Sequence, residues 1–385
     1  MLTKVTTNVE YRDKRPRMAI FFLFFLNCYI LACLRHLVSR KHNILRNLSI
    51  NCSIEMAPNL NDDNSLFNFV VKEGNGVKGL VDLGLTEVPD RYIQPPHRRI
   101  NKQEVAGSLE IVTIDLSELY GPNHEEAVKA IVHASETLGF FQVVNHGVPL
   151  EVLESLKVTA HQFFGQPAEK KAVYLKEVSP SPLVKYGTSF VPENEKSLEW
   201  KDVLSMMYTN DADARQSWPN ECKEVVLEYI NTSTEMVRKV LKALIGNLGV
   251  KLDDSRLHEL MGFNLVNINF YPACPNPDLT VGAGSHSDAG MLTVLLQDGI
   301  GGLYILSNGR YISAEHRVRT TDVESRVSVP RFIAPLLTVK IGPFPELVAR
   351  DGVARYKEVI YGEYLKIFFE KSLNGKKSLD FALLD

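Results

Sequence analysis

The chain has 385 residues, 45% of them hydrophobic and 23% charged, with a formal net charge of −3. That balance fits one large globular domain or two small ones; it excludes bulk disorder, collagen-like and coiled-coil architectures, and gives no signal for nucleic-acid binding. The five cysteines (Cys28, Cys33, Cys52, Cys222 and Cys274) form no CxxC pair, which points to a reducing, cytoplasmic setting.

Charge divides the chain unevenly. Residues 1–55 carry +6 and residues 56–385 carry −9. Within the first stretch, Met18–Leu34 is a 17-residue apolar run broken only by Asn27, with basic residues on both sides. As a helix at ~1.5 Å per residue it would span about 25 Å, short of a bilayer core of about 30 Å. No A-x-A-like cleavage site follows. Two readings stand: an extension outside the working fold that packs poorly on the rest, or a signal anchor that would place the protein at the ER membrane. Met56-Ala-Pro-Asn, which reads as a second start, favours the first. The sequons at Asn47 and Asn51 matter only in a secretory lumen.

Gly74-Asn-Gly76-Val-Lys-Gly79 fits G-x-G-x-x-G, but Pro89, Pro95 and Pro96 leave little room for the βαβ unit of a dinucleotide site. Ile111–Leu116 reads as a strand. Asn123 and Glu126 form a capping-box pattern before a helix with the stripe Val128, Ile131, Ala134 and Leu138, ended by Gly139. Phe140–Val144 is a second strand, and Val152 to Phe164 a second helix. A long amphipathic helix follows Pro219, from Val226 to Leu248. Beyond it the pattern turns β-rich, with strands at Asn267–Phe270, Leu292–Leu296 and Val327–Val329, and a closing helix near Tyr364–Lys371. The expected organisation is an extension (1–55), an N-terminal region (56–215), linking helices (216–261), a β core (262–335) and a C-terminal region (336–385).

Most of the ten histidines have ordinary readings; His146, in a strand-to-helix turn, suits a structural hydrogen bond. His286 and Asp288 differ. In an extended chain, residues two apart share a face, so both side chains can reach one ion, and His316 can add a third ligand from another strand. Two imidazoles and a carboxylate on one face of an octahedron form the triad of non-haem Fe(II) oxygenases. Arg326 and Ser328 again share a face, suited to a distal carboxylate. Asn269 and Tyr271 alternate in the same way just before Pro272-Ala-Cys-Pro275. Phe332 shares the parity of Arg326 and Ser328, as an aromatic wall beside a substrate ring or as core packing.

The order N-x-Y-P-x-C-P, H-x-D, H, R-x-S resembles the plant 2-oxoglutarate- and Fe(II)-dependent dioxygenases, over roughly residues 66–385. Gly139–Pro149 adds to the likeness. Within that family the chain is most similar to the feruloyl-CoA ortho-hydroxylases, through Gly74–Leu80, Tyr92–Pro96, Glu199–Met207, Leu292–Tyr304 and Ser313–Thr321. The resemblance implies a distorted jelly-roll behind a mixed α/β N-terminal part. It implies Fe(II) on His286, Asp288 and His316, and 2-oxoglutarate on Tyr271, Arg326 and Ser328 beside Asn269. O2 is the second cosubstrate, and ascorbate is allowed for. The implied reaction is ortho-hydroxylation of feruloyl-CoA, a small-molecule CoA ester, in coumarin (scopoletin) biosynthesis, by a monomer. Cys274 is then a turn residue and not a nucleophile.

One departure stands out. Only 27 residues separate Asp288 from His316. A jelly-roll places four strands there, needing about 35–45 residues or more. The family's Trp-containing strand and its Gly-Ala-apolar-Asn-x-Gly-Asp strand are both missing, as if about thirty residues had been removed after Tyr304. The expectation is an incomplete jelly-roll with open sheet edges, and with it a second reading: a catalytically impaired isoform.

Overall fold

The computed structural model describes residues 2–4, 18–25, 59–100, 105–108, 111–189, 192–298, 303–306, 314–354, 356–371 and 381–384. Thirteen strands build two sheets. In chain order they are β1 (Leu2–Lys4), β2 (Met18–Phe25), β3 (Val105–Ser108), β4 (Thr113–Asp115), β5 (Phe140–Val144), β6 (Val184–Thr188), β7 (Asp202–Tyr208), β8 (Phe263–Tyr271), β9 (Ala283–His286), β10 (Gly290–Gln297), β11 (Leu303–Leu306), β12 (Glu315–Val318) and β13 (Arg326–Ala334). The larger sheet runs β4-β5-β2-β10-β13-β8-β7-β6, and the smaller runs β3-β1-β11-β12-β9. Phe140, Tyr271, Ala283, Leu295, Ala314 and Val318 form a buried cluster between them.

Alternation assigns the two faces of the larger sheet. Val266, Ile268 and Phe270 of β8, Leu292, Val294 and Leu296 of β10, and Val327, Val329 and Ile333 of β13 pack into the main core. The helices His124–Thr137, Leu150–Phe164 and Lys223–Asn247 supply the other side of that core. The opposite parity lines a cleft: Asn267, Asn269 and Tyr271, Thr293 and Leu295, then Arg326, Ser328, Pro330 and Phe332. Arg331 falls on the helix side. Its guanidinium donates to Asn264 Oδ1, to the Ile230 carbonyl and to the hydroxyls of Ser233 and Thr234. Burial lowers its pKa to about 10, still charged at neutral pH, and the four acceptors tie the sheet to the long helix.

The elements read from sequence are present, with longer bounds for most. The capping box is not: Asn123 donates its side-chain amide to Glu118 Oε2 at 2.9 Å and makes no cap bond. His146 has the structural role expected, its Nδ1 accepting the Val148 N–H at 3.1 Å.

The larger correction concerns residues 2–4 and 18–25, which the sequence reading places outside the fold with the rest of the extension. Instead β2 runs antiparallel between β10 and β5, with Ile20 opposite Val294 on one side and Phe141 on the other. Met18, 1% exposed, joins the main core. β1 pairs antiparallel with β11. An unbroken apolar run has no parity to read, so length and flanking charge point to a membrane anchor or an extension outside the fold, where the structure has a strand paired on both sides. Residues 26–34, both sequons and Ser313 lie outside the described residues. Among the described residues no helix is long and apolar enough to cross a membrane.

The Gly74–Gly79 motif opens the short helix Gly76–Asp82, and an internal anion sits where a phosphate would. Asp202 accepts the N–H groups of Val77 and Lys78 at 2.7 and 2.8 Å. Gly76 has φ +70°, and a Cβ there would lie 2.5 Å from Asp202 Oδ1 and from the Tyr186 hydroxyl. Gly76→Ala should therefore lower the unfolding free energy by about 1–3 kcal/mol, read as a lower denaturant midpoint with an unchanged slope. An unchanged midpoint would contradict this packing.

Candidate metal and cosubstrate site

β9 and β12 pair so that His286 and His316 stand directly opposite one another. Their rings are 4.2 Å apart between centroids, tilted by 52°. Each Nδ1 faces a backbone carbonyl: Gly284 at 2.8 Å for His286 and Ala314 at 3.0 Å for His316. An Nδ1–H donated there leaves Nε2 as the lone-pair nitrogen. Both Nε2 atoms lie 3.7 Å from Asp288 Oδ1. All three ligand atoms fall within 4.8 Å of one another. Octahedral neighbours at metal–ligand distances of ~2.1 Å would stand about 3 Å apart, so a small inward adjustment closes the set on an ion.

Asp288 is 4% exposed and His316 7%, while His286 keeps 30% of its side chain open. Burial first, and the neighbouring His316 second, lower the His286 pKa to about 4. The imidazole is then neutral at pH 7, the form a metal needs. The second carboxylate oxygen, Asp288 Oδ2, accepts the Thr293 hydroxyl at 3.0 Å. That hydrogen bond comes from β10 and fixes which oxygen faces the histidines. Sequence reasoning missed Thr293; its parity with Leu295 on the cleft face was the available signal.

The second group of residues also assembles. β13 sets Arg326 opposite Tyr271 and Ser328 opposite Asn269. Arg326 is 1% exposed, its guanidinium 4.9 Å from the centre of the Tyr271 ring and hydrogen-bonded to Gln297. Asn269 Nδ2 donates to the Ser328 hydroxyl at 3.4 Å. Tyr271, Arg326, Ser328 and Asn269 line the same cleft as the His-Asp-His cluster. A fixed cation beside a hydroxyl, buried next to a metal-ligand set, suits a dicarboxylate that reaches the metal with its other end.

The rest of the cleft is part apolar and part polar. Val203, Leu295, Val318, Pro330 and Phe332 face it, with Ser189 and Lys201. Phe332 also packs against Phe263, Leu265, Tyr361 and Tyr364, so it serves as wall and core together. Lys201 Nζ lies 2.6 Å from Glu199 Oε2, and the Gly284 N–H donates to Glu199 Oε1 at 2.8 Å, tying this polar corner to β9. Asn267 on β8 and Ser205 on β7 are direct partners in the ladder. Asn267 Oδ1 and Ser205 Oγ are buried without a hydrogen-bond partner. Cys274 is buried against Thr280, with its thiol pKa pushed up by burial, which suits a turn residue and not a nucleophile.

Residues 262–335 match the 2OG-Fe(II) oxygenase superfamily, and residues 111–225 match the family described as non-haem dioxygenase in morphine synthesis N-terminal. The chain is 56% identical to the scopoletin 8-hydroxylase of Arabidopsis thaliana, over 85% of this chain and 99% of that one. It is 45% identical to feruloyl CoA ortho-hydroxylase 1 of the same plant, over 82% and 95%. Among solved structures it resembles JOX2 in complex with 2OG, Fe and JA, at 27% identity and a TM-score of 0.67, covering 80% of this chain and 97% of that one. The chain therefore belongs to the 2-oxoglutarate- and Fe(II)-dependent oxygenases, as a dioxygenase related to the plant scopoletin and feruloyl-CoA hydroxylases.

Proposed function

We propose that this chain hydroxylates the aromatic ring of a hydroxycoumarin of the scopoletin type. The carrying observation is the 56% identity over 99% of a scopoletin 8-hydroxylase. Ortho-hydroxylation of feruloyl-CoA is the second reading, supported by 44–45% identity to several hydroxylases of that ester. In this proposal His286, Asp288 and His316 hold the iron, and Arg326 and Ser328 hold the far carboxylate of 2-oxoglutarate beside Tyr271 and Asn269. Two imidazoles and one carboxylate, with Nε2 and Oδ1 turned toward a common point, would suit Fe(II) and leave room beside it for small ligands.

Fe(II) with bound 2-oxoglutarate supplies the oxidising power to place one oxygen atom of O2 on a ring carbon, with succinate and CO2 as by-products. The protein's share is placement. Arg326 is neutralised by the incoming carboxylate in a site where water cannot compete. Thr293 keeps Asp288 Oδ1 on the metal side. Phe332, Leu295 and Val318 offer an apolar slot for a flat ring and exclude water from the reacting carbon. Scopoletin carries a ring hydroxyl beside the carbon that 8-hydroxylation attacks. Asn267 Oδ1 is the acceptor suited to that hydroxyl, since a buried acceptor without a partner costs stability until a ligand satisfies it. Lys201, ion-paired with Glu199, lines the same wall.

The distinguishing assay incubates the full chain with Fe(II), 2-oxoglutarate and either scopoletin or feruloyl-CoA, and follows succinate and the hydroxylated product. Faster turnover of scopoletin is expected. Turnover of feruloyl-CoA alone would replace the first reading with the second, and binding of metal and 2-oxoglutarate with no turnover of either would favour the impaired isoform. The alignment with the scopoletin enzyme is 354 positions long yet takes up 85% of this chain, so part of that relative has no counterpart here.

Two variants probe the assigned roles. Thr293→Val removes the hydroxyl that orients Asp288 and should weaken metal binding about 10–100-fold, measured by Co(II) titration; an unchanged affinity would contradict the role given to Thr293. Asn267→Leu should raise KM for scopoletin roughly tenfold, the loss of one buried hydrogen bond, and leave KM for 2-oxoglutarate unchanged. Equal changes in both constants would mean that Asn267 shapes the fold and not the substrate slot.

A further inference from the structure

The connection from β11 to β12 is too short to supply the strands that a jelly-roll places between them. In the larger sheet, β10 needs a neighbour on the side away from β13. In the smaller sheet, β11 needs one on the side away from β12. Both places are filled from the other end of the chain: β2 pairs with β10, and β1 pairs with β11. Both pairings are antiparallel. The order also fits, since a chain leaving β11 would first add a strand to the smaller sheet and then return to the larger, and β1 and β2 take those positions in that sequence.

We propose that β1 and β2 are substitute strands, which occupy the two places left by the shortened β11–β12 connection and hold the ligand-bearing strands in register. Three observations connect this to the site. β10 carries Thr293, which orients Asp288, and Gln297, which is hydrogen-bonded to Arg326. β11 flanks β12, the strand of His316, on the side away from β9. Among the described residues, β4 and β5 join the larger sheet only through β2. Removing β2 would open the edges of β10 and β5 together, in the middle of the sheet, where unpaired N–H and C=O groups are costly. An extended apolar segment is the natural occupant of such a slot, because main-chain bonds supply the affinity and side chains on alternate positions supply the fit. Met18, opposite Val143 and 1% exposed, shows that fit at the first position of the strand.

The reading of residues 1–55 as a dispensable leader makes the opposite forecast, so the two can be separated on the full-length protein. Hydrogen exchange followed by mass spectrometry should find the amides of residues 18–25 protected to a degree comparable with those of β10, at least 100-fold beyond unstructured rates. Ile20→Pro removes a donor from the centre of the strand. In the full chain it should raise the Co(II) dissociation constant at least tenfold and speed exchange in β10 and β5. If that variant fails to fold, exchange in the unmodified chain still decides. Exchange of residues 18–25 at unstructured rates would overturn the proposal, and so would an Ile20→Pro variant with unchanged Co(II) affinity. Neither readout depends on which substrate the enzyme takes, so failure here is distinct from failure of the functional assignment.

Discussion

The edge of β10 is the constraint on which the rest of the molecule depends. This strand runs through the middle of the larger sheet, with apolar side chains of one parity in the helical core and the other parity facing the cleft. A strand buried on both faces tolerates no open edge, because its backbone groups have neither water nor partner. β13 satisfies one edge along six paired positions from Leu292 to Gln297, and β2 satisfies the other. From that fixed strand, Thr293 sets the Asp288 carboxylate and Gln297 meets Arg326. The candidate metal ligands and the residues proposed for the cosubstrate thus share one support.

The cleft shows how one alternation serves two purposes. Along β13, odd-numbered positions from Val327 to Ile333 build the core, and even-numbered positions from Arg326 to Phe332 build the site. Two buried arginines on one strand divide accordingly: Arg331 is saturated by four acceptors on the helix side, while Arg326 lies against Tyr271 on the cleft side. The first binds helix to sheet and the second lines the cleft. A slip of one residue in the register of β13 would exchange them, burying the wrong charge on each face. The site is therefore as well defined as the core is.

Much of the site was legible because its chemistry rides on simple spacing. H-x-D and R-x-S put their side chains on one face of an extended chain whatever the fold around them, and both pairs meet in the structure. The residues that sequence reasoning missed are of another kind. Thr293 and Gln297 act through partners far along the chain, and Arg331 sits among apolar neighbours with nothing local to mark its contacts. Asn123 looked like a helix cap, but Glu118 competes for its side chain. Asp202–Tyr208 is buried over its first five positions, a pattern without the alternation that marks a half-exposed strand. Met18–Phe25 was the hardest case. Its composition allows a membrane segment, a core helix or a strand, and only its pairing between β10 and β5, which is a tertiary fact, selects among them.

In the proposed function, His286, Asp288 and His316, with Arg326, form one competent site. The most direct measurement is anaerobic titration of the full-length protein with Fe(II) in the presence of 2-oxoglutarate, followed by absorption and calorimetry, alongside Asp288→Ala. One Fe(II) and one 2-oxoglutarate are expected per chain, with Fe(II) binding lost in the variant. Failure of the unmodified, folded chain to bind either one, or binding unaffected by Asp288→Ala, would contradict it.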